Sequence, residues 1–178
     1  MFKIEHKLAF KICVFGDGGV GKTTLIRRFA EGVFEENILM TIGADFSVKN
    51  VEIDEKPVTL RIWDFAGEDR FRVLLPAFAK GADGGIFMYD TTRYSSLGQI
   101  KDWLSIFEYF GSNQKGKIPI IMVGGKIDLQ NRSVSTEEAL ELSNNYELTD
   151  YFECSSKTGE NVEQIFEFIA RKMIEGTL

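Results

Sequence analysis

Gly16-Asp17-Gly18-Gly19-Val20-Gly21-Lys22-Thr23 reads G-x-x-x-x-G-K-T, the spacing of a phosphate-binding loop. A polyphosphate crowds several negative charges onto a few oxygens, so holding it takes many donors converging at close range. Glycines let the backbone curl so that successive N–H groups point inward. Gly18, Gly19, Val20 and Gly21 supply that backbone, Lys22 adds a point charge that reaches terminal phosphates, and Thr23 offers a hydroxyl to Mg2+. Thr24 lies at the start of a helix-like run to Glu31 whose positive N-terminus faces the anion. Leu8-Ala9-Phe10-Lys11-Ile12-Cys13-Val14-Phe15, just before the loop, is a mostly apolar, strand-like run. Strand, glycine loop and helix in that order give the pattern its structural context.

The chain has 178 residues, the length of one domain with a full core, preceded by a short polar leader over residues 1–7. Hydrophobic residues make up 44% and charged residues 27%, an ordinary balance for a globular protein. A net charge of −6 argues against nucleic acid and against a polybasic membrane patch. Cys13 and Cys154 have no metal-ligand spacing and read as reduced thiols in a cytoplasmic chain. The single histidine, His6, falls in the leader, so histidine-based catalysis has no candidate. There is no signal peptide and no apolar run approaching the about 18 residues of a spanning helix.

Gly32 is placed to end the first helix, and residues 33–43 have no period and read as an exposed loop. Residues 44–54 alternate as a strand; Asp54-Glu55-Lys56 turns the chain, and 58–64 returns as the second arm of an antiparallel hairpin. Further strands are expected over 84–90, 118–123 and 151–154, with a loop that can hold an irregular helix over 65–80. Helices are expected over 94–110 (Leu97, Ile100, Leu104 and Phe107 on one stripe), from the capping box Ser135-Thr136-Glu137-Glu138 to about Tyr146, and from a cap at Asn161 onward. A polar loop occupies 111–117. Strands alternating with helices predict an α/β fold, a mostly parallel six-stranded sheet with helices on both faces. Such sheets bind ligands outside the carboxyl ends of their strands.

Three strand ends beyond the loop carry chemistry. Asp64-Phe65-Ala66-Gly67-Glu68 puts a carboxylate where it can hold Mg2+ through its water shell and a glycine N–H where a terminal phosphate can approach. Gly124-Gly125-Lys126-Ile127-Asp128 offers one carboxylate to the N1–H and amine of guanine, which adenine cannot match, with the Lys126 stem along the base plane. Ser155-Ser156-Lys157-Thr158-Gly159 brings a backbone N–H toward the base carbonyl and Lys157 over the base.

These stations, in this order and across nearly the whole chain, resemble the Ras superfamily of small GTPases, and within it Rab. Thr41-Ile42-Gly43-Ala44-Asp45-Phe46, the stretch Ile62 to Phe71 and Tyr89-Asp90-Thr91-Thr92 are similar to Rab signatures. The resemblance implies a P-loop NTPase fold and a GTP/GDP-dependent switch with Mg2+ as cofactor. It makes Thr41 the switch I threonine, a ligand of Mg2+ alongside Thr23 and Asp64. Phe34 becomes the aromatic beside the base, and Lys22, Thr41, Gly67 and Glu68 the catalytic group. It also implies effector, GTPase-activating and exchange proteins acting through the switch loops of a monomer. Phe46, Trp63 and Phe78 match the Rab aromatic triad, readable equally as core and hairpin packing.

Three departures stand out. Glu68 replaces the glutamine that both accepts from water and donates to the phosphoryl group; an ionised carboxylate only accepts, and it adds negative charge. Gly125 replaces the asparagine that ties the base loop to the phosphate loop, which predicts weaker nucleotide binding with guanine specificity kept by Asp128. The sequence stops at Leu178 without the terminal cysteines of a prenylated tail, so no direct membrane anchor is expected, and peripheral membrane association only where a lipidated tail follows. Residues 33–43 hold no arginine, and Arg70 and Arg72 read as surface ion-pair residues, so slow turnover accelerated by a partner is expected. The alternative is a guanine-nucleotide-binding scaffold with little or no turnover. A P-loop kinase or metabolic ATPase fits poorly, since no lid or second-substrate region is present.

Overall fold

The computed structural model describes residues 8–110 and 117–177, with side chains throughout these except at 107–110. His6, the leader, the side chain of Phe107 and most of the loop expected over 111–117 lie outside the described residues.

β1 (Leu8–Phe15), β2 (Ala44–Ile53), β3 (Lys56–Phe65), β4 (Gly84–Asp90), β5 (Ile120–Gly125) and β6 (Asp150–Glu153) form one six-stranded sheet in the order β2-β3-β1-β4-β5-β6. Every pairing is parallel except the β2–β3 hairpin. The helices are α1 (Lys22–Glu31), the short α2 (Leu75–Ala79), α3 (Ile100–Phe110), α4 (Thr136–Asn145) and α5 (Val162–Glu175).

Strand periodicity sorts the apolar residues into two cores. Ile12, Val14, Ile86, Met88, Ile121 and Val123 face α1 and α5, where Leu25, Phe29, Phe166 and Ile169 close the layer. Cys13, Phe15, Phe87, Tyr89 and Met122 face the other way, onto Leu75, Ile100, Trp103, Leu104 and Ala139 of α2, α3 and α4. Phe29 and Phe166 stack at 4.0 Å between centroids and join α1 to α5. Burial on both faces is why β4 and β5 read as unbroken apolar runs. It also pushes both cysteine thiols up to about 12, leaving them buried, free and protonated.

Several expected boundaries move, each for a local reason. The hairpin turn has two residues, not three: Asp54 and Glu55 both adopt positive φ (50° and 64°), the geometry of a tight two-residue hairpin, and Ile53 pairs directly with Lys56. The helix expected from residue 94 begins as a single 3₁₀ turn, Tyr94–Ser96, and turns α-helical only at Ile100. Ser96 causes the break, because its Oγ donates to the Arg93 carbonyl at 2.6 Å and accepts from the Asp90 N–H at 3.0 Å. Pairing of Tyr89 with Gly124 and of Asp90 with Gly125 carries β5 two residues past its last apolar side chain. The Ser135 capping box forms as expected. Asn161 does precede α5, but its side chain caps nothing; it donates to the Glu153 carbonyl at 2.8 Å and the residue sits at φ 61°.

Candidate nucleotide site

β1 ends in the sheet centre, between β3 and β4, and the phosphate-loop motif leaves from its carboxyl end. Gly16 makes that exit possible. Its φ is 140°, and a Cβ there would lie 2.1 Å from the Met88 carbonyl oxygen, so only glycine lets the loop turn against β4. Lys22 folds back beneath the loop and donates to the carbonyls of Gly16 (2.8 Å) and Asp17 (2.7 Å). Burial, with a smaller push from Arg93, lowers its ammonium to about 8 against the pull of Asp64 and Asp17.

Thr23, Thr41 and Asp64 arrive from α1, the loop before β2 and the end of β3. Thr41 Oγ1 lies 2.9 Å from Thr23 Oγ1 and donates to Asp64 Oδ2 at 3.1 Å, and Thr23 Oγ1 hydrogen-bonds the same oxygen. Burial raises the Asp64 carboxyl above its ordinary value despite these two hydroxyls and Lys22. Its other oxygen, Oδ1, is buried without a hydrogen-bond partner. Three hard oxygen donors with one lone pair left unsatisfied fit a small, oxygen-seeking dication that keeps several waters.

A cleft of about 320 Å³ opens above these groups. It is lined by Gly18, Gly19, Val20, Gly21, Lys22, Thr23 and Thr24, by Phe34 and Thr41, by Gly67 and Glu68, and by Lys126 and Ser156. Gly67 lies so close to the phosphate loop that a Cβ there would stand 2.2 Å from the Gly18 nitrogen. Glu68 ion-pairs with Arg70 at 2.6 Å. Three expected base-site residues do not line the cleft itself. Asp128 is exposed just beyond it and accepts from the Ser155 hydroxyl at 2.7 Å. Ser155 is fully buried, and its hydroxyl holds that carboxylate in place. Lys157 reaches across to Glu36 at 3.3 Å.

At two points the packing departs from the sequence expectation. Gly125 does not leave the base and phosphate loops untied: Lys126 Nζ donates to the Gly19 carbonyl at 2.8 Å while pairing with Asp90 at 2.7 Å. The space an asparagine would take is filled by the Met88 methyl, 2.5 Å from the place of a Cβ. Arg72 makes the surface ion pair expected of it, with Asp69 at 3.1 Å, but it is also largely covered, stacks over the Trp103 ring at 4.5 Å and lies 3.7 Å from Asp17, which in turn accepts from Trp103 Nε1 at 3.0 Å. Arg93, not singled out by sequence, donates to the Gly18 carbonyl at 2.6 Å. Its signal was its place just past the carboxyl end of β4, directly after the Tyr89-Asp90-Thr91-Thr92 stretch.

Phe46, Trp63 and Phe78 form a continuous row with centroids 5.6 Å apart at each step. Phe46 is exposed, while Phe78 leans on Phe65 of the core, so the row joins surface to interior. Leu39, Met40 and Ile42 beside it are also exposed.

A glycine-loop cradle at the carboxyl edge of a mostly parallel sheet, with a hydroxyl–carboxylate cluster beneath it, defines a P-loop nucleotide-binding protein. A family model described as Ras family matches residues 11–175. Ras-related protein Rab-18 of Caenorhabditis briggsae is 40% identical over 165 residues, covering 93% of this chain and 80% of its own length. Ras-related protein RABE1e of Arabidopsis thaliana is 38% identical over 169 residues (94% and 76%), and Ras-related protein Rab-19 of Homo sapiens 37% over 166 residues (93% and 75%). The chain belongs to the Ras family of small GTPases, with Rab proteins among its relatives. It is therefore a GTP hydrolase whose family binds GTP and GDP and is read by regulators and effectors. No helix among the described residues is long and apolar enough to cross a membrane.

Proposed function

We propose that this chain is a Rab-like switch of membrane traffic or signalling on the cytoplasmic side, cycling between GTP and GDP with slow turnover of its own. The observation that carries this is the convergence of Thr23, Thr41 and Asp64 with the Asp64 oxygen left unsatisfied. Thr41 belongs to the exposed loop over 33–43, so that loop's position is tied to the phosphate end of the cleft. Thr23, Thr41 and, through water, Asp64 would hold Mg2+, which would supply neutralisation of phosphate charge; Thr41's position would then depend on the terminal phosphate.

The loop amides from Gly18 to Thr24 and Lys22 grip the phosphates, and the Gly67 N–H meets the terminal one. Phe34 and Lys126 cover the base, Asp128 reads guanine, Ser155 fixes Asp128, and Ser156 and Lys157 border the base. Glu68 orients the attacking water by accepting from it. Loss of the terminal phosphate frees Thr41 and Gly67 together, changing the surface around Leu39, Ile42 and the Phe46–Trp63–Phe78 row that partners meet.

The Glu68–Arg70 pair favours a second reading, a scaffold with little turnover, because it draws the carboxylate away from water. Single-turnover phosphate release from GTP-loaded protein separates the two. Glu68→Gln restores a donor toward the phosphoryl group and is expected to raise the rate by about tenfold or more. Release at background level from both proteins, with GTP bound, would establish the scaffold.

A further inference from the structure

Arg93 stands where no phosphate-binding motif places a cation. Its backbone is fixed: the N–H donates to the Asp90 carbonyl at 3.0 Å, and Ser96 returns its N–H (3.0 Å) and its hydroxyl (2.6 Å) to the Arg93 carbonyl. Asp90 is itself held by Lys126 at 2.7 Å and by Thr92. From this anchored root the side chain runs across the edge of the phosphate loop to the Gly18 carbonyl, and Nη1 passes beside Gly19. Arg93 borders a hollow of about 490 Å³ together with Asp17, Gly18, Gly67, Glu68, Arg70 and Gln99. Gly18, Gly67 and Glu68 also line the nucleotide cleft, so the two spaces meet at the phosphate end. An exposed arginine on a hydrogen-bonded root thus shares this hollow with Glu68, whose negative charge is only locally paired, by Arg70 at 2.6 Å.

We propose that Arg93 is a catalytic arginine supplied by the chain to its own GTPase reaction, carrying the turnover that needs no partner. In hydrolysis the water oxygen forms a bond to the γ-phosphorus. The bond from that phosphorus to the bridging oxygen breaks, its electron pair stays on GDP, and the water proton passes to the released phosphate. Arg93 makes and breaks no covalent bond. Its guanidinium shifts from the Gly18 carbonyl to the phosphoryl and bridging oxygens as charge builds on them, a fork of donors that also offsets Glu68. A reason for an arginine at this position follows: the glutamine's missing donor is replaced by another residue of the same hollow.

The inference rests on the GTP-cycling reading above, and the test keeps the two apart. Full-chain wild type, Arg93→Ala and Arg93→Lys are compared by fluorescent GDP affinity, by single-turnover phosphate release, and by tryptophan fluorescence on adding aluminium fluoride to the GDP form without any partner. Wild type is expected to take up aluminium fluoride and Arg93→Ala to fail, with release slowed by about tenfold or more and GDP affinity changed by less than about threefold. Arg93→Lys keeps the charge without the fork and is expected to recover little. Unchanged release in Arg93→Ala overturns the proposal, as does a parallel fall in release and GDP affinity, which marks a brace for the loop. Wild type that binds GTP but neither turns it over nor takes up aluminium fluoride also overturns it, and leaves nucleotide binding standing. Failure of wild type to bind guanine nucleotides overturns both.

Discussion

Gly125 shows how a single position is understood only with its neighbours. The residue alone signals a lost tether, but Met88 fills the vacated space and Lys126 supplies a hydrogen bond to the phosphate loop from the adjacent position. Gly125→Asn must displace the Met88 methyl, and the flexible thioether limits the expected cost to about 1–2 kcal/mol. Combined with Met88→Ala the loss is smaller than the sum, with a coupling of at least about 0.5 kcal/mol in a urea-denaturation double-mutant cycle; strict additivity would show that the two side chains do not share that space. Much of the site was legible in the residues: Lys22, Thr23 and the loop glycines, because phosphate chemistry dictates both their types and spacing, and Asp64 and Gly67, because they follow a buried strand. Arg93 and Met88 were not. Arginine just past a strand is common, and a buried methionine looks like core; only the folded chain puts the one on Gly18 and the other under Gly125.

Among the elements, the strands and most helices were legible from period and capping, since burial on one face or both leaves its pattern in sequence. Their ends were not, because side chains such as Ser96 compete for the backbone there. The β2–β3 turn is the clearest case. It needs positive φ twice, and Glu55, at 64°, carries a Cβ that disfavours it. Glu55→Gly is expected to stabilise the protein by about 1 kcal/mol, read as a raised denaturation midpoint; a lowered midpoint would mean that unfolded-chain entropy outweighs the strain. At the opposite edge of the sheet, Glu153 of β6 accepts twice from Arg132, at 2.8 and 2.7 Å, and from Tyr151 at 2.5 Å, tying β6 to the connection before α4. Burial would raise the Glu153 carboxyl, but the hydrogen bonds from Arg132, Tyr151 and Thr136 outweigh it and hold it below its ordinary value. A depressed carboxylate stabilises the fold above its unfolded value, near 4.5, and that contribution is lost as pH falls through the folded one. Glu153→Gln should therefore cost about 1–3 kcal/mol at neutral pH and flatten the acid limb of the stability profile below the unfolded carboxylate value. An unaltered acid limb would place the acid sensitivity elsewhere.

For the whole molecule, the sheet order puts the carboxyl ends of β1, β3, β4 and β5 along one edge, and the phosphate loop, Asp64, Arg93 and Lys126 all lie at or just past those ends. Four segments far apart in sequence thereby meet at one edge of the sheet, and the loops carrying Thr41 and Glu68 line the cleft there. This arrangement, and not any one motif, is the basis for reading the chain as a guanine-nucleotide switch. The most direct test is to release and identify the nucleotide that the protein carries when purified in the presence of Mg2+. The account predicts about one guanine nucleotide per chain, mostly GDP, released on chelation of the metal. Adenine nucleotides in its place, or tighter binding of ATP than of GTP by nucleotide-free protein, would contradict it.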